Sequence, residues 1–261
     1  MKTHQPIGIL DSGIGGLSVL NEIRKTLPNE SIIYFGDSAW CPYGARDADE
    51  IQRRVFAVTD FLLSKNCKLI VIACNSATIA AVEALRASYP IPFVGMEPGI
   101  KPAAAITQTG TVGVLATEAS LAGKKFHRLV DDHGSGVTII TRPCPNFVEL
   151  VESGDFDSPR ARAMVEEEVL PLIEANADIL VLGCSHFPFL RPLIEEVAGP
   201  KVTVMDTGMA VAQRVNHFIA GEIMAPTPSY EIFTSGDLSH LKKEFPILCP
   251  NLKASLNHAD I

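Results

Sequence analysis

Short apolar runs alternate along this chain with longer stretches in which hydrophobic residues recur every three or four positions. Ile7–Leu10 reads as a strand ending at Asp11, and Gly13, Gly15 and Gly16 turn the chain into a helix carrying Leu17, Leu20, Ile23 and Leu27. Ile32–Phe35 predicts a second strand, stopping at Gly36-Asp37, and the loop through Pro42-Tyr43-Gly44 leads to a helix with Ile51, Val55, Val58 and Leu62 on one face. Leu69–Ala73 predicts a third strand. Cys74-Asn75-Ser76 then opens an alanine-rich helix that Pro90 and Pro92 end near Tyr89.

The pattern resumes with a strand at 112–116, a helix at 121–130, a strand at 137–140 and a long helix over about 159–176. Leu180-Val181-Leu182-Gly183-Cys184 then repeats the design of Val71-Ile72-Ala73-Cys74, and Gly113-Val114-Leu115-Ala116-Thr117 echoes Gly8-Ile9-Leu10-Asp11-Ser12. Two echoes in the same order predict a duplicated α/β unit with one cysteine in each half. A strand at 202–205, a helix at 209–220, a strand at 230–233 and a short helix at 238–245 follow, and the tail after Pro250 is expected to be poorly ordered. Continuous apolar strands separated by helices imply mostly parallel sheets covered on both faces, with ligands at the carboxyl ends of the strands. Asp11, Asp37, Cys74, Thr117 and Cys184 fall at such ends.

Composition narrows the chemistry. The 261 residues carry 22 Lys and Arg against 30 Asp and Glu, and a formal charge of −8 without a basic block argues against a nucleic-acid partner. The strongest apolar runs, 69–74 and 179–184, fall far short of the roughly 20 residues a bilayer needs. Asp11 interrupts the first apolar stretch too early for a signal peptide, so a cytoplasmic protein is expected. Six cysteines without a CxxC pair read as reduced thiols.

The turn after Asp11 invites a dinucleotide reading, with Asp37 as the ribose-binding acid. It fits poorly, because the third glycine of the fingerprint falls at Ser18 and Asp11 puts a negative charge where a pyrophosphate would lie. Cys67, Cys144 and Cys249 read as small buried hydrophobes, and Cys41, before Pro42, stays undecided. Cys74 and Cys184 differ: they occupy matching places in the repeat, each read as lying just before a helix whose first amides would stabilise a thiolate. The spacing Cys184-Ser185-His186 suits no metal site, and the separation of the two thiols does not suit disulfide exchange. One thiol from each half suits proton transfer at the two faces of a carbon, one abstracting and the other delivering. His186 could set the protonation of Cys184. Asp11 is either a simple cap or a group that holds an amino function or tunes Cys74, and Ser12, Asn75, Ser76, Thr117 and Ser185 offer neutral donors suited to carboxylates.

Five ordered motifs carry a resemblance: 8–17 (GILDSGIGGL), Pro42-Tyr43-Gly44, Ala73-Cys74-Asn75-Ser76-Ala77-Thr78, the stretch from Val94 through Pro102, and Gly183-Cys184-Ser185-His186-Phe187-Pro188. Together they resemble the bacterial glutamate racemases of the aspartate/glutamate racemase superfamily, from about Pro6 to the 230s. The resemblance implies a cofactor-independent and metal-free enzyme that interconverts L- and D-glutamate and supplies the D-isomer for peptidoglycan. It implies Cys74 and Cys184 as the acid/base pair, Asp11 assisting the first, His186 the second, and Glu152 supporting the His. Asp11-Ser12, Pro42-Tyr43-Gly44, Asn75-Ser76, Ser185-His186 and, less securely matched, Thr117 would bind substrate. It also implies two pseudo-symmetric Rossmann-like α/β domains, 1–95 plus 208–261 and 96–207, with the active site between them, and a homodimer is expected. Ser76 and Ser185 stand where the family more often has Thr, and Glu149 where it often has Pro; the hydroxyls survive, so binding is expected to be retained. No long N-terminal extension precedes the first motif, so dependence on a cell-wall-precursor activator is not expected. The alternatives kept open are an aspartate or related amino-acid racemase on the same scaffold and a non-catalytic amino-acid-binding module.

Overall fold

Strand Ile7–Asp11 (β1) is buried at every residue, and the turn after it is set by steric limits. A Cβ on Gly16 would lie 2.7 Å from that of Asp11, so only glycine lets helix Leu17–Thr26 (α1) start directly over the strand end. Strand Ile32–Gly36 (β2) follows, and at its end a Cβ on Gly36 would lie 2.4 Å from the carbonyl oxygen of Gly13. That neighbour is backbone and cannot swing away. Gly36→Ala is therefore expected to cost about 2–3 kcal/mol of stability by overpacking, read from urea denaturation; a loss below about 1 kcal/mol would mean the turn gives way freely.

In this computed structural model, which describes residues 4–134, 136–220 and 227–261, the first unit continues through helix Ala48–Ser64 (α2), strand Leu69–Ile72 (β3), helix Asn75–Ser88 (α3) and strand Phe93–Gly95 (β4). Residues 1–3, which entered the signal-peptide reading, and 221–226, in the first expected domain, lie outside the described residues. The predicted helix face is the one that packs: Ile51, Val55, Val58 and Leu62 are all buried.

The second unit runs through helix Ile100–Ile106 (α4), strand Thr111–Ala116 (β5), helices Glu118–Ala122 (α5) and Lys124–His133 (α6), strand Thr138–Pro143 (β6), helices Pro145–Glu152 (α7) and Pro159–Glu174 (α8), strand Ile179–Gly183 (β7), helix Arg191–Ala198 (α9) and strand Thr203–Met205 (β8). The chain then returns to the first unit with helix Gly208–Ile219 (α10), strand Tyr230–Thr234 (β9), helix Leu238–Leu248 (α11) and strand Ser255–His258 (β10). The units comprise Met1–Met96 with Gly208–Ile261, and Glu97–Thr207. Among the described residues no helix is long and apolar enough to cross a membrane.

Each unit is built on one parallel sheet. The first has the order β10-β9-β2-β1-β3-β4 and the second β6-β5-β7-β8. Stripped of β9 and β10, the first sheet matches the second strand for strand, with β1 equivalent to β5 and β3 to β7. The match extends into the loops. Asn66 after α2 and Asn176 after α8 both take the left-handed conformation, at φ 60° and 67°, and the following amides of Cys67 and Ala177 bond back to Leu62 and Leu172. Both helices thus end in the same asparagine-capped motif. From each asparagine the chain enters the central strand and reaches a cysteine at the same offset, Cys74 in one unit and Cys184 in the other.

Several sequence expectations need correction. The helix expected over 121–130 is two, because Gly123 leaves the helical region at ψ 136°. The tail after Pro250 is ordered: β10 pairs in register with β9, Ser255 opposite Glu231. Its polar sequence, typical of an edge strand with one neighbour, concealed it. Strand β6 lies further along the chain than 137–140 and is half-exposed, again as an edge. The short elements β4, α4 and α7 were not anticipated, α7 because Pro145 reads as a breaker although it sits in the first helical turn, where proline is tolerated.

Candidate active site

In the first unit, the strand ends deliver Asp11, Ser12 and Cys74 to one place. β1 pairs with β3 so that Leu10 lies opposite Ile72, and continuing that register sets Ser12 beside Cys74. Their side chains meet, with the Cys74 sulfur 3.9 Å from the Ser12 hydroxyl. Cys74 is also the N-cap of α3, and its sulfur accepts from the amide of Ala77 at 3.4 Å. An amide aimed at the sulfur from the start of a fourteen-residue helix favours the thiolate. Asp11 is fully buried and accepts from the Gly13 amide at 3.1 Å, holding the turn. Asn75 and Ser76 are buried beside the thiol, and the Asn75 side-chain oxygen has no hydrogen-bond partner among the described residues.

Pro42, Tyr43 and Gly44 lie in the segment between β2 and α2. The Tyr43 ring is buried in the same apolar cluster as Cys74, and its hydroxyl donates to Asp37 at 2.6 Å. Burial and the Asp37 charge push the phenol far above its ordinary value, so it stays protonated and keeps donating. Asp37, read from sequence only as a poor ribose ligand, is instead engaged by Tyr43, by Arg54 through two nitrogens at 2.8 and 2.9 Å, and by Ser235 at 2.7 Å. Sequence reasoning missed Arg54; the signal was a pair of cations, Arg53 and Arg54, on α2, one turn before Val58.

In the second unit, the register of β5 with β7 sets Ala116 opposite Gly183, and hence Thr117 at the level of Cys184. Thr117 caps α5, accepting from the Ser120 amide and donating to the Ser120 hydroxyl at 2.9 Å. One sequence expectation fails here: Cys184 does not cap a helix. A short 3-10 turn at Phe187–Leu190 follows it, and α9 begins only at Arg191. The group facing its sulfur is His186, whose Nδ1 lies 3.8 Å from Sγ and 3.4 Å from the Ser185 hydroxyl. The other ring nitrogen, Nε2, lies 2.7 Å from Glu152 Oε1. An ionised carboxylate only accepts, so Nε2 carries the proton of that contact, and in the neutral form of the ring the Nδ1 lone pair faces Cys184. That imidazole can take the thiol proton and return it. The two thiols therefore sit at matching strand ends but use different local devices, a helix amide for Cys74 and a carboxylate-oriented imidazole for Cys184.

Burial pushes the Cys67 and Cys249 thiols up to about 12 and raises Cys144 as well, which keeps all three as neutral packing groups. Cys41 is partly exposed.

Comparison with known proteins adds an independent line. The sequence pattern of the Asp/Glu/Hydantoin racemase family matches residues 7–215. A glutamate racemase of Herpetosiphon aurantiacus is 49% identical over 243 residues, covering 92% of this chain and 96% of that protein. One from Ectopseudomonas mendocina is 44% identical over 251 residues, covering 95% of each. Among solved structures, a glutamate racemase isoform of Bacillus anthracis superposes with a TM-score of 0.90 at 32% identity, covering 100% of this chain and 99% of its own. The Escherichia coli enzyme, in complex with L-glutamate and the activator UDP-MurNAc-Ala, gives 0.89 at 29% identity, covering 97% of this chain and 98% of its own.

Proposed function

Because the chain belongs to the Asp/Glu/Hydantoin racemase family, among its glutamate racemases, we propose that it interconverts L- and D-glutamate by moving a proton between Cys74, Cys184 and the α-carbon without a cofactor, and so supplies D-glutamate for peptidoglycan. One thiolate removes the α-proton and the second thiol donates its own to the other face. After a turnover the thiolate and thiol have exchanged roles; a turnover in reverse, or proton exchange with solvent, restores them.

The α-hydrogen of an amino acid is a far weaker acid than a thiol, so the surrounding groups must stabilise the carbanion and hold it in line. The hydroxyls of Ser12, Ser76, Thr117 and Ser185 supply neutral donors for carboxylates. The Asn75 side-chain oxygen, buried with no partner among the described residues, is an acceptor that a substrate ammonium would satisfy. Asp11 assists Cys74, and Glu152 acts on Cys184 through His186. The observation that carries the reading is the recurrence of a cysteine beside a hydroxyl residue at the end of equivalent central strands, Ser12 with Cys74 and Thr117 with Cys184.

A polarimetric assay without added cofactor tests it. Optical rotation should decay to zero from L-glutamate, persist with L-aspartate, and be unaffected by pyridoxal phosphate. Decay with aspartate instead would replace the substrate; binding of glutamate without decay would make the chain an amino-acid-binding module.

A further inference from the structure

The segment that carries Pro42-Tyr43-Gly44 contains no strand and no α-helix, only two single 3-10 turns, Ser38–Trp40 and Tyr43–Ala45. A binding segment of that kind has little backbone ladder to hold its shape, yet Tyr43 is 1% exposed. What fixes it is a buried anion. Asp37, at the carboxyl end of β2, is fully buried and joins three elements: the Tyr43 hydroxyl from the segment itself, both nitrogens of one Arg54 fork from α2, and Ser235 after β9. Arg54 does a second thing. Its guanidinium stacks on the Trp40 ring at 4.8 Å from the centroid, as does that of Arg46. Arg46 in turn donates to the Trp40 carbonyl at 2.7 Å and pairs with Glu50.

We propose that Asp37 and Arg54 are positioning residues for glutamate: they hold the Tyr43 ring in the buried cluster that contains Cys74 and so keep the Pro42–Gly44 segment in its substrate-binding form. This rests on the racemase reading above. An ion pair that served stability alone would not need to end on a tyrosine hydroxyl inside the binding segment. The phenol stays protonated, so it remains a donor to Asp37.

The test uses steady-state kinetics and one spectroscopic probe, because Trp40 is the sole tryptophan of the chain and lies in the segment itself. Tyr43→Phe and Asp37→Asn should each raise KM for glutamate by about tenfold, the loss expected for a hydrogen bond to a charged group, with kcat within about threefold. Tryptophan emission should shift to the red in both as the stacked arginines loosen. The double variant should be no worse than Asp37→Asn alone, since both changes break one tether. Arg54→Lys, which keeps the charge but not the fork, should fall between wild type and Asp37→Asn and carries the test with Tyr43→Phe if Asp37→Asn does not fold. Unchanged KM in Tyr43→Phe and Arg54→Lys would overturn the tether even if thermal stability dropped, and a raised KM without a shift in emission would overturn it as the cause. Wild-type protein that fails to racemise glutamate would overturn the functional reading beneath it, an outcome separable because it needs no variant.

Discussion

Cys74→Ser and Cys184→Ser are each expected to reduce glutamate racemisation by about three to four orders of magnitude while leaving the fold intact. The loss is large because a serine hydroxyl is a much weaker acid than a thiol, so it neither forms the base nor keeps its balance with the partner thiol. Folding survives for a local reason at each site. The Cys74 sulfur caps α3 by accepting from the Ala77 amide, and serine is among the best residues for that role. Cys184 is followed by a 3-10 turn held by backbone contacts, which a change of sulfur to oxygen does not remove. Circular dichroism at a wavelength that reports glutamate, begun from either isomer, measures the rate, and a thermal melt controls for folding. If either variant kept near wild-type turnover, one thiol would suffice and the two-base scheme would be wrong. Cys67→Ser serves as the contrast, because its thiol is buried and held neutral by its surroundings.

His186→Asn should lower kcat/KM by about a hundredfold or more, the usual range for a positioned acid–base group. Asparagine retains a polar side chain but cannot relay a proton between Cys184 and the position oriented by Glu152. Glu152→Gln should cost less, about tenfold, since the glutamine oxygen can still accept from Nε2 and only the charge is lost. Both effects must be equal from L- and D-glutamate in kcat/KM, because the equilibrium constant between enantiomers is one. The asymmetry should instead appear in kcat and KM separately, as the step that uses Cys184 becomes slow in one direction before the other. A His186→Asn enzyme within threefold of wild type would reduce the imidazole to a packing group.

Much of this site was legible in the chain because strand ends in parallel sheets are marked by abrupt loss of hydrophobicity, and Asp11, Cys74, Thr117 and Cys184 all stand at such breaks. The duplication was legible for the same reason: two apolar strands of one design ended on the same residue type. What the sequence obscured was local geometry. Nothing in Cys184-Ser185-His186 says that a 3-10 turn rather than a helix follows, since Pro188 is compatible with a first helical turn as well as with a tight one. Asp37 stood at a predicted strand end, but its partners come from Tyr43, Arg54 and Ser235, and the last is distant in sequence. The edge strands β6 and β10 were misplaced or missed because an edge needs only one neighbour and half a hydrophobic face. The asparagines at 66 and 176 were readable as an echo all along, but only the left-handed backbone gives them a reason.

The order of the first sheet has a consequence for how the chain comes to be folded. Its strands β9 and β10 pair beyond β2, and α10 packs against α1, yet all three are made after the entire second unit. During synthesis residues 4–96 emerge with the β2 edge uncovered and the apolar face of α1 unmatched, while 97–207 is a continuous stretch with its complete four-stranded sheet. The inserted unit is thus positioned to fold first, and the outer unit closes last, when its final strands arrive to cover the waiting edge. A chain truncated before β9 would keep both cysteines and still leave an open sheet edge, the kind of surface on which proteins aggregate.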